Sequence, residues 1–123
     1  MHNPLPRLLF AFSAVVLLLG GLMHAAAFGK AVSAVSASDL PPFYGNSLKG
    51  LWVIDAATLL ILSLAFGCLA VRPALANRPI VILLALIPAA TAFFLYKFIG
   101  NFLPAHMLAA AAAAALLAVW WLA

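Results

Sequence analysis

Four long apolar stretches, separated by short polar segments, dominate the chain. They cover residues 8–28, 51–71, 79–98 and 103–122, and each is close to the roughly 20 residues that a helix needs to cross a bilayer. Because lipid offers the backbone no hydrogen-bond partner, such stretches cross it as helices. The pattern therefore predicts an all-α membrane protein. We expect residues 1–123 to form a single transmembrane domain, with four helices in an antiparallel bundle.

The longest polar segment, residues 29–49, separates the first two spans. Residues 31–38 predict a short interfacial helix, which ends before Pro41 and Pro42 because a residue before proline avoids the α region. Phe43 and Tyr44 follow, and aromatic residues at such positions are typical of membrane-interface anchors. Tryptophans at the ends of two spans have the same character: Trp52, Trp120 and Trp121.

The third and fourth spans carry two further signals. Pro88 lies in the middle of its span and removes a backbone hydrogen bond, so we expect a kink there. Residues 109–115 are consecutive alanines, which let a neighbouring helix approach closely. We therefore expect the fourth span to pack centrally or against a partner, through Ala109, Ala112 and Ala113.

The composition agrees with membrane insertion. Hydrophobic residues make up 69% of the chain and charged residues 7%, whereas soluble domains have about 25% charged residues. The six Lys and Arg outnumber the two acidic residues; they flank the spans, where they meet lipid headgroups rather than nucleic acid. The first span has the flanks of a secretory signal, but the later apolar spans favour a retained helix.

The cations divide evenly between the two predicted membrane faces. One face, the arginine face, has Arg7, Arg72 and Arg78, and the other, the lysine face, has Lys30, Lys49 and Lys97. Because the cation count is tied, the short connection with Arg72 and Arg78 decides the orientation. We expect a multi-pass protein of a bacterial-type inner membrane, with both termini in the cytoplasm.

Each span has one ionisable residue near the lysine face, because successive spans alternate in direction. These residues are His24, Asp55, Lys97 and His106, and Thr58, one turn from Asp55, extends the polar surface. A charge inside a span is usually paired, so we expect Asp55 to contact Lys97 or a histidine. Such a layer could move protons, since histidine titrates near neutral pH. In the alternative interpretation, Lys97 reaches the headgroups and the histidines are ordinary interfacial caps.

Two metal sites are compatible with the same residues. Haem bound by His24 and His106 suits a four-helix bundle, and the neighbouring Met23 and Met107 suit copper. Adjacent helix residues point about 100° apart, however, so a His–Met pair does not readily face one ion. We therefore expect no particular cofactor. The sequence also has no phosphate loop, nucleophile elbow or zinc spacing, which favours a protein that is not an enzyme.

Two resemblances concern the layout of the chain. Its four short spans resemble the architecture of small multidrug resistance transporters. Those proteins carry a glutamate in the first span, where this chain has no acidic residue, so no site residue is carried over. Residues 21–52, with His24, Leu40-Pro41-Pro42 and Trp52, resemble a pattern in small four-helix bacterial membrane proteins of unassigned function.

Three functions remain open at this point. The first is a non-catalytic accessory or assembly subunit of a membrane complex, which acts by packing with other subunits or with itself. The second is a small proton-coupled transporter or channel that works as an oligomer, with Asp55 as the coupling group. The third is a haem- or copper-binding membrane subunit. The alanine-rich span, the short loops and the lack of catalytic motifs favour the first.

Overall fold

The computed structural model describes residues 3–122, which are all-helical and contain no strand. The helices are α1 (Leu5–Ala26), α2 (Phe28–Ser36), α3 (Pro42–Val71), α4 (Arg78–Phe98) and α5 (Leu103–Ala118), with short 3₁₀ turns at Pro73–Leu75 and Val119–Trp121. Four segments are long and apolar enough to cross a membrane: Leu5–Ser36, Pro42–Val71, Arg78–Phe98 and Leu103–Trp121. The prediction of an all-helical chain with four helices of spanning length is confirmed.

Proline lies in the first turn of α1, α3, α4 and α5. It is well tolerated there, because the first N–H groups of a helix have no intrahelical partner. Asn77 adds an N-cap to α4, with its side chain accepting a hydrogen bond from the Ile80 N–H at 3.0 Å. Pro88 is different: it lies inside α4, which continues through it, and its ring is fully buried.

α1 and α2 form an almost continuous helix. Ala27 between them keeps a helical backbone, and its N–H donates to the Met23 carbonyl while its own carbonyl accepts from Ala31. α2 begins at Phe28, three residues before the predicted interfacial helix, and ends at Ser36. The polar segment after the first span is therefore mostly helical.

α3 begins at Pro42, ahead of the predicted span at residue 51, and its 30 residues extend about 45 Å. The hydrocarbon core of a bilayer is only about 30 Å thick. The first turns of α3 pack beside α2, where a Cβ on Gly45 would lie 3.1 Å from Val35 Cγ1. We call residues 28–50, which comprise α2 and the first turns of α3, the arm.

α1 and α5 form the centre of the molecule. α3 packs on α1, α1 packs on α5, and α5 packs on α4, whereas α3 and α4 have little or no close backbone contact. Phe10 and Phe66 are fully buried and stack between α1 and α3, with 6.3 Å between ring centroids. Gly21 lets the same two helices approach, because a Cβ there would lie 3.0 Å from Leu60 Cδ2.

Two buried serines bind α1 to its neighbours. Ser13 Oγ donates to the Ala111 carbonyl of α5 at 2.8 Å, and Ser63 Oγ of α3 donates to the Ala14 carbonyl of α1 at 2.7 Å. These bonds require close backbones, which alanine and glycine permit. α5 also uses its alanines within the chain: Ala112 is buried, Ala109 is half-buried and Ala113 is exposed.

Two of the arginines bind the carbonyl ends of other helices. Arg7 Nε donates to the Ala70 carbonyl at 3.1 Å, so the start of α1 meets the end of α3. Arg78 donates from Nε and Nη2 to the Leu122 carbonyl at 3.0 and 2.7 Å, so the start of α4 meets the turn after α5. A cation is favourable at such carbonyls, where the helix dipole is negative.

Candidate functional site

His24, in the last turn of α1, and Asp55 of α3 lie side by side. His24 Nε2 is 3.4 Å from Asp55 Oδ2, and the side chains are 26% and 38% exposed, respectively. The Nε2 atom itself is buried and has no hydrogen-bond partner. The two side chains are therefore within ion-pair distance, but their atoms are not aligned for a hydrogen bond. The carboxylate oxygen lies within reach of this imidazole nitrogen after a small movement.

Trp52 determines how His24 is held. Its ring stacks on the imidazole with 4.2 Å between centroids, and its Nε1–H donates to the His24 backbone carbonyl at 2.8 Å. The carbonyls in the last turn of a helix lack intrahelical partners, which makes this one available. Trp52 was expected at the interface as an anchor; in the structure it is half-buried and faces His24. Together, His24, Trp52 and Asp55 form the α1–α3 cluster.

His106 belongs to a second group, with Tyr96 of α4 and Asn101 of the following turn. His106 Nε2 lies 2.6 Å from Asn101 Oδ1, and Nδ1 lies 2.7 Å from the Tyr96 hydroxyl. The amide oxygen only accepts, so Nε2 carries the hydrogen in that bond, and Nδ1 pairs with the Tyr96 hydroxyl. Both ring nitrogens are thus engaged in joining α4 to α5, around a turn in which Gly100 has φ of +90°.

The other predicted polar residues do not join either group. Lys97 is exposed, with Nζ 5.6 Å from the centroid of the Phe98 ring. Thr58 Oγ1 donates to the Ile54 carbonyl of its own helix at 2.8 Å. Asp55 therefore pairs with His24 and not with Lys97, and among residues 3–122 no hydrogen bond, ion pair or ring stacking links the α1–α3 cluster to His106.

Apart from Trp52, the predicted anchors are exposed, and they lie at both ends of the molecule. Phe43 is 75% exposed and Tyr44 58%, at the tip of the arm, and Trp120 is 79% exposed beside Trp121. The residues that sequence reasoning missed are Ser13, Ser63 and Gly21. Their signal was present: each is a small residue inside an apolar span, the kind of position that lets helices approach in a membrane protein.

Two grooves open on the surface of the helices. The larger, about 620 Å³, lies between α1 and α3 and ends at Arg72. The smaller, about 220 Å³, lies between α2 and α3 and is lined by Ala31, Ala34, Val35, Leu48, Lys49 and Trp52. The smaller groove thus reaches the α1–α3 cluster through Trp52. In the described part of the chain, no three His, Cys, Asp or Glu residues are grouped as metal ligands.

The described residues are all-helical, and four of the helical segments are long and apolar enough to span a membrane. Comparison with protein-family models, with curated proteins and with solved structures found no match to this chain.

Proposed function

We propose that this chain is a non-catalytic accessory or assembly subunit of a membrane complex, and that it docks a partner subunit through the arm. In this proposal α1, α3, α4 and α5 are antiparallel spans of a bacterial-type inner membrane, and the arm rises from the lysine face. The observation that carries the proposal is the exposed aromatic tip of the arm, Phe43 and Tyr44. Exposed aromatic side chains at the end of a rigid element are typical of interaction sites.

The arm has the shape that a docking element requires. α3 exceeds the thickness of the hydrocarbon core by several turns, and α2 packs against this excess length through Val35 and Gly45. The small groove beside Leu48 and Trp52 is large enough for one or two partner side chains. A paired, rigid arm loses little conformational entropy on binding.

The alanine face of α5 is less suited to this role. Ala112 is 3% exposed, and Ala111 and Ala115 are fully buried. A leucine at position 112 would therefore disturb the packing of α5 inside the chain before it affected any assembly. This observation moves the expected docking surface from α5 to the arm.

The test is crosslinking in the native membrane, followed by native mass spectrometry of the protein released in mild detergent. A photoreactive residue at position 43 should capture one partner of defined mass, and Phe43→Ala should release the chain from its complex. Phe93→Ala is the matched control, since Phe93 is also exposed, at 61%, but lies on α4. A wild-type chain that is always a lone monomer, without crosslinks at position 43, would contradict the proposal.

A second candidate, proton-coupled transport by an oligomer, is favoured by the 3.4 Å contact between His24 and Asp55. If Asp55 is the coupling group, Asp55→Asn should abolish proton flux into liposomes that contain the purified protein and a pH-sensitive dye. Asp39→Asn is the control, because it removes the chain's other acidic residue, which is exposed in the arm. Equal flux in wild type and Asp55→Asn would remove this candidate.

A further inference from the structure

The larger groove has a floor of small residues between α1 and α3. Ala14, Ser63 and Gly67 form this floor, and the Ser63 hydroxyl is turned away into its bond with the Ala14 carbonyl. A Cβ on Gly67 would have only the Ala14 Cβ near it, at 4.0 Å, so the space above Gly67 is open. The walls are apolar, with Val15, Leu18, Leu64 and Val71. The groove is an apolar channel, open along one side, that follows the helix pair.

A single cation marks one end of this channel. Arg72 follows the last residue of α3 and lines the groove together with Leu75. The other two arginines of this face are bound to backbone carbonyls, whereas no hydrogen bond or ion pair within residues 3–122 holds the exposed Arg72 side chain. Its guanidinium is therefore available for bidentate binding of a phosphate.

We propose that this groove binds one anionic phospholipid, with an acyl chain above Gly67 and the phosphate on Arg72. The inference rests on the membrane insertion proposed above, but not on docking by the arm. Ser63 and Arg72 are nine positions apart, which corresponds to about 14 Å along α3. The groove has apolar walls along this length and one cation at its end, so its polarity matches that of an amphiphile.

A helix from a second copy fits the groove less well. A helix–helix seam in a membrane runs along much of the roughly 30 Å span, whereas this groove covers less than half of that length. Its volume of about 620 Å³ falls within the range typical of small-ligand sites. The position of Arg72 at the predicted membrane surface also places the phosphate at the depth of the headgroups.

The test is a lipid titration followed by native mass spectrometry in mild detergent. The probes are phosphatidylglycerol, which is anionic, and phosphatidylcholine with the same acyl chains, which is zwitterionic. We expect wild type to retain phosphatidylglycerol preferentially, and Arg72→Gln to lower that preference about fivefold, the contribution of one basic residue near an anionic lipid. Gly67→Leu fills the channel and should weaken retention of both lipids.

Two control variants match these changes elsewhere in the chain. Lys30→Gln removes one charge from the lysine face, and Gly20→Leu adds the same side chain where a Cβ meets nothing within 4 Å; both should bind lipid as wild type does. An unchanged preference in Arg72→Gln would overturn the proposal, as would equal retention by Gly67→Leu and Gly20→Leu. A dimer that Gly67→Leu dissociates without any lipid dependence would instead assign the groove to a second copy.

Three measurements together distinguish a failure of the lipid site from a failure of the proposed function. Flotation of wild type with vesicles tests membrane insertion first, and a chain that does not float overturns both proposals. If the chain floats and binds lipid but position 43 captures no partner, only the docking role of the arm is lost. If the partner is captured but the lipid preference does not depend on Arg72, only the lipid site is lost.

Discussion

Gly21 determines how closely α1 and α3 approach each other. A Cβ at this position would lie 3.0 Å from Leu60 Cδ2 and 3.3 Å from Leu59 Cβ, so Gly21→Leu must push the helices apart. We expect a loss of about 1–3 kcal/mol in the free energy of unfolding, as is typical of overpacked sites. Thermal unfolding in mild detergent measures it.

Gly20→Leu is the matched control for this prediction. A Cβ there has no neighbour within 4 Å, while the change in side-chain volume and helix propensity is the same. Unfolding temperatures that are equal in the two variants would show that the α1–α3 contact at Gly21 does not limit stability.

Only part of the α1–α3 cluster could be predicted from the sequence. Asp55 was evident because it is the only acidic residue in an apolar span, and the cost of an unpaired charge there predicted a partner. The identity of that partner was not predictable. Depth along a helix follows from residue number, but which spans are lateral neighbours does not, so Lys97 and both histidines were equal candidates. The stacking of Trp52 on His24 was hidden for the same reason.

At the scale of elements, hydropathy located the spans but underestimated α3. Its first turns contain Asn46, Ser47 and Lys49, which lower the mean hydropathy without breaking a helix. Pro41 and Pro42 were interpreted only as the end of the preceding helix. Proline also starts helices, and here Pro42 lies in the first turn of α3. The arm was therefore not predicted from the sequence, and only the structure shows it.

The α4–α5 hairpin shows a second limit at this scale. His106 has the right depth for a shared polar layer, yet its two nitrogens are used by Tyr96 and Asn101. These partners are local, ten and five positions away in the chain. To bind haem, His106 would have to give up one of these hydrogen bonds. The two histidines therefore differ: His24 faces an acidic residue, whereas His106 joins the ends of the α4–α5 turn.

For the whole molecule, the order of packing could not be derived from hydrophobic periodicity. A helix that is apolar on every side shows no preferred face, and lipid is as apolar as the side chains it would replace. Small residues held a signal that the sequence analysis missed, because Ser13, Gly21 and Ser63 all lie where α1 meets another helix. On α1, Ser13 contacts α5 and Gly21 contacts α3, as expected for a central helix.

Two arguments favour an orientation with the arginine face in the cytoplasm. The short connection between α3 and α4 carries Arg72 and Arg78, and basic residues in short loops are retained inside. The cytoplasmic leaflet also has a negative surface potential, which suits the proposed Arg72 lipid site. The lysine face and the arm would then lie outside.

Labelling of intact cells tests this orientation. In a Cys68→Ser background, which removes the chain's single cysteine, a membrane-impermeant maleimide should label Ser47→Cys in the arm but not Ala74→Cys in the α3–α4 connection. Permeabilised cells should label both, which shows that each thiol is reactive. The reverse pattern would put the arginine face outside. In that case the Arg72 groove would face the leaflet with fewer anionic lipids, and any partner of the arm would be cytoplasmic.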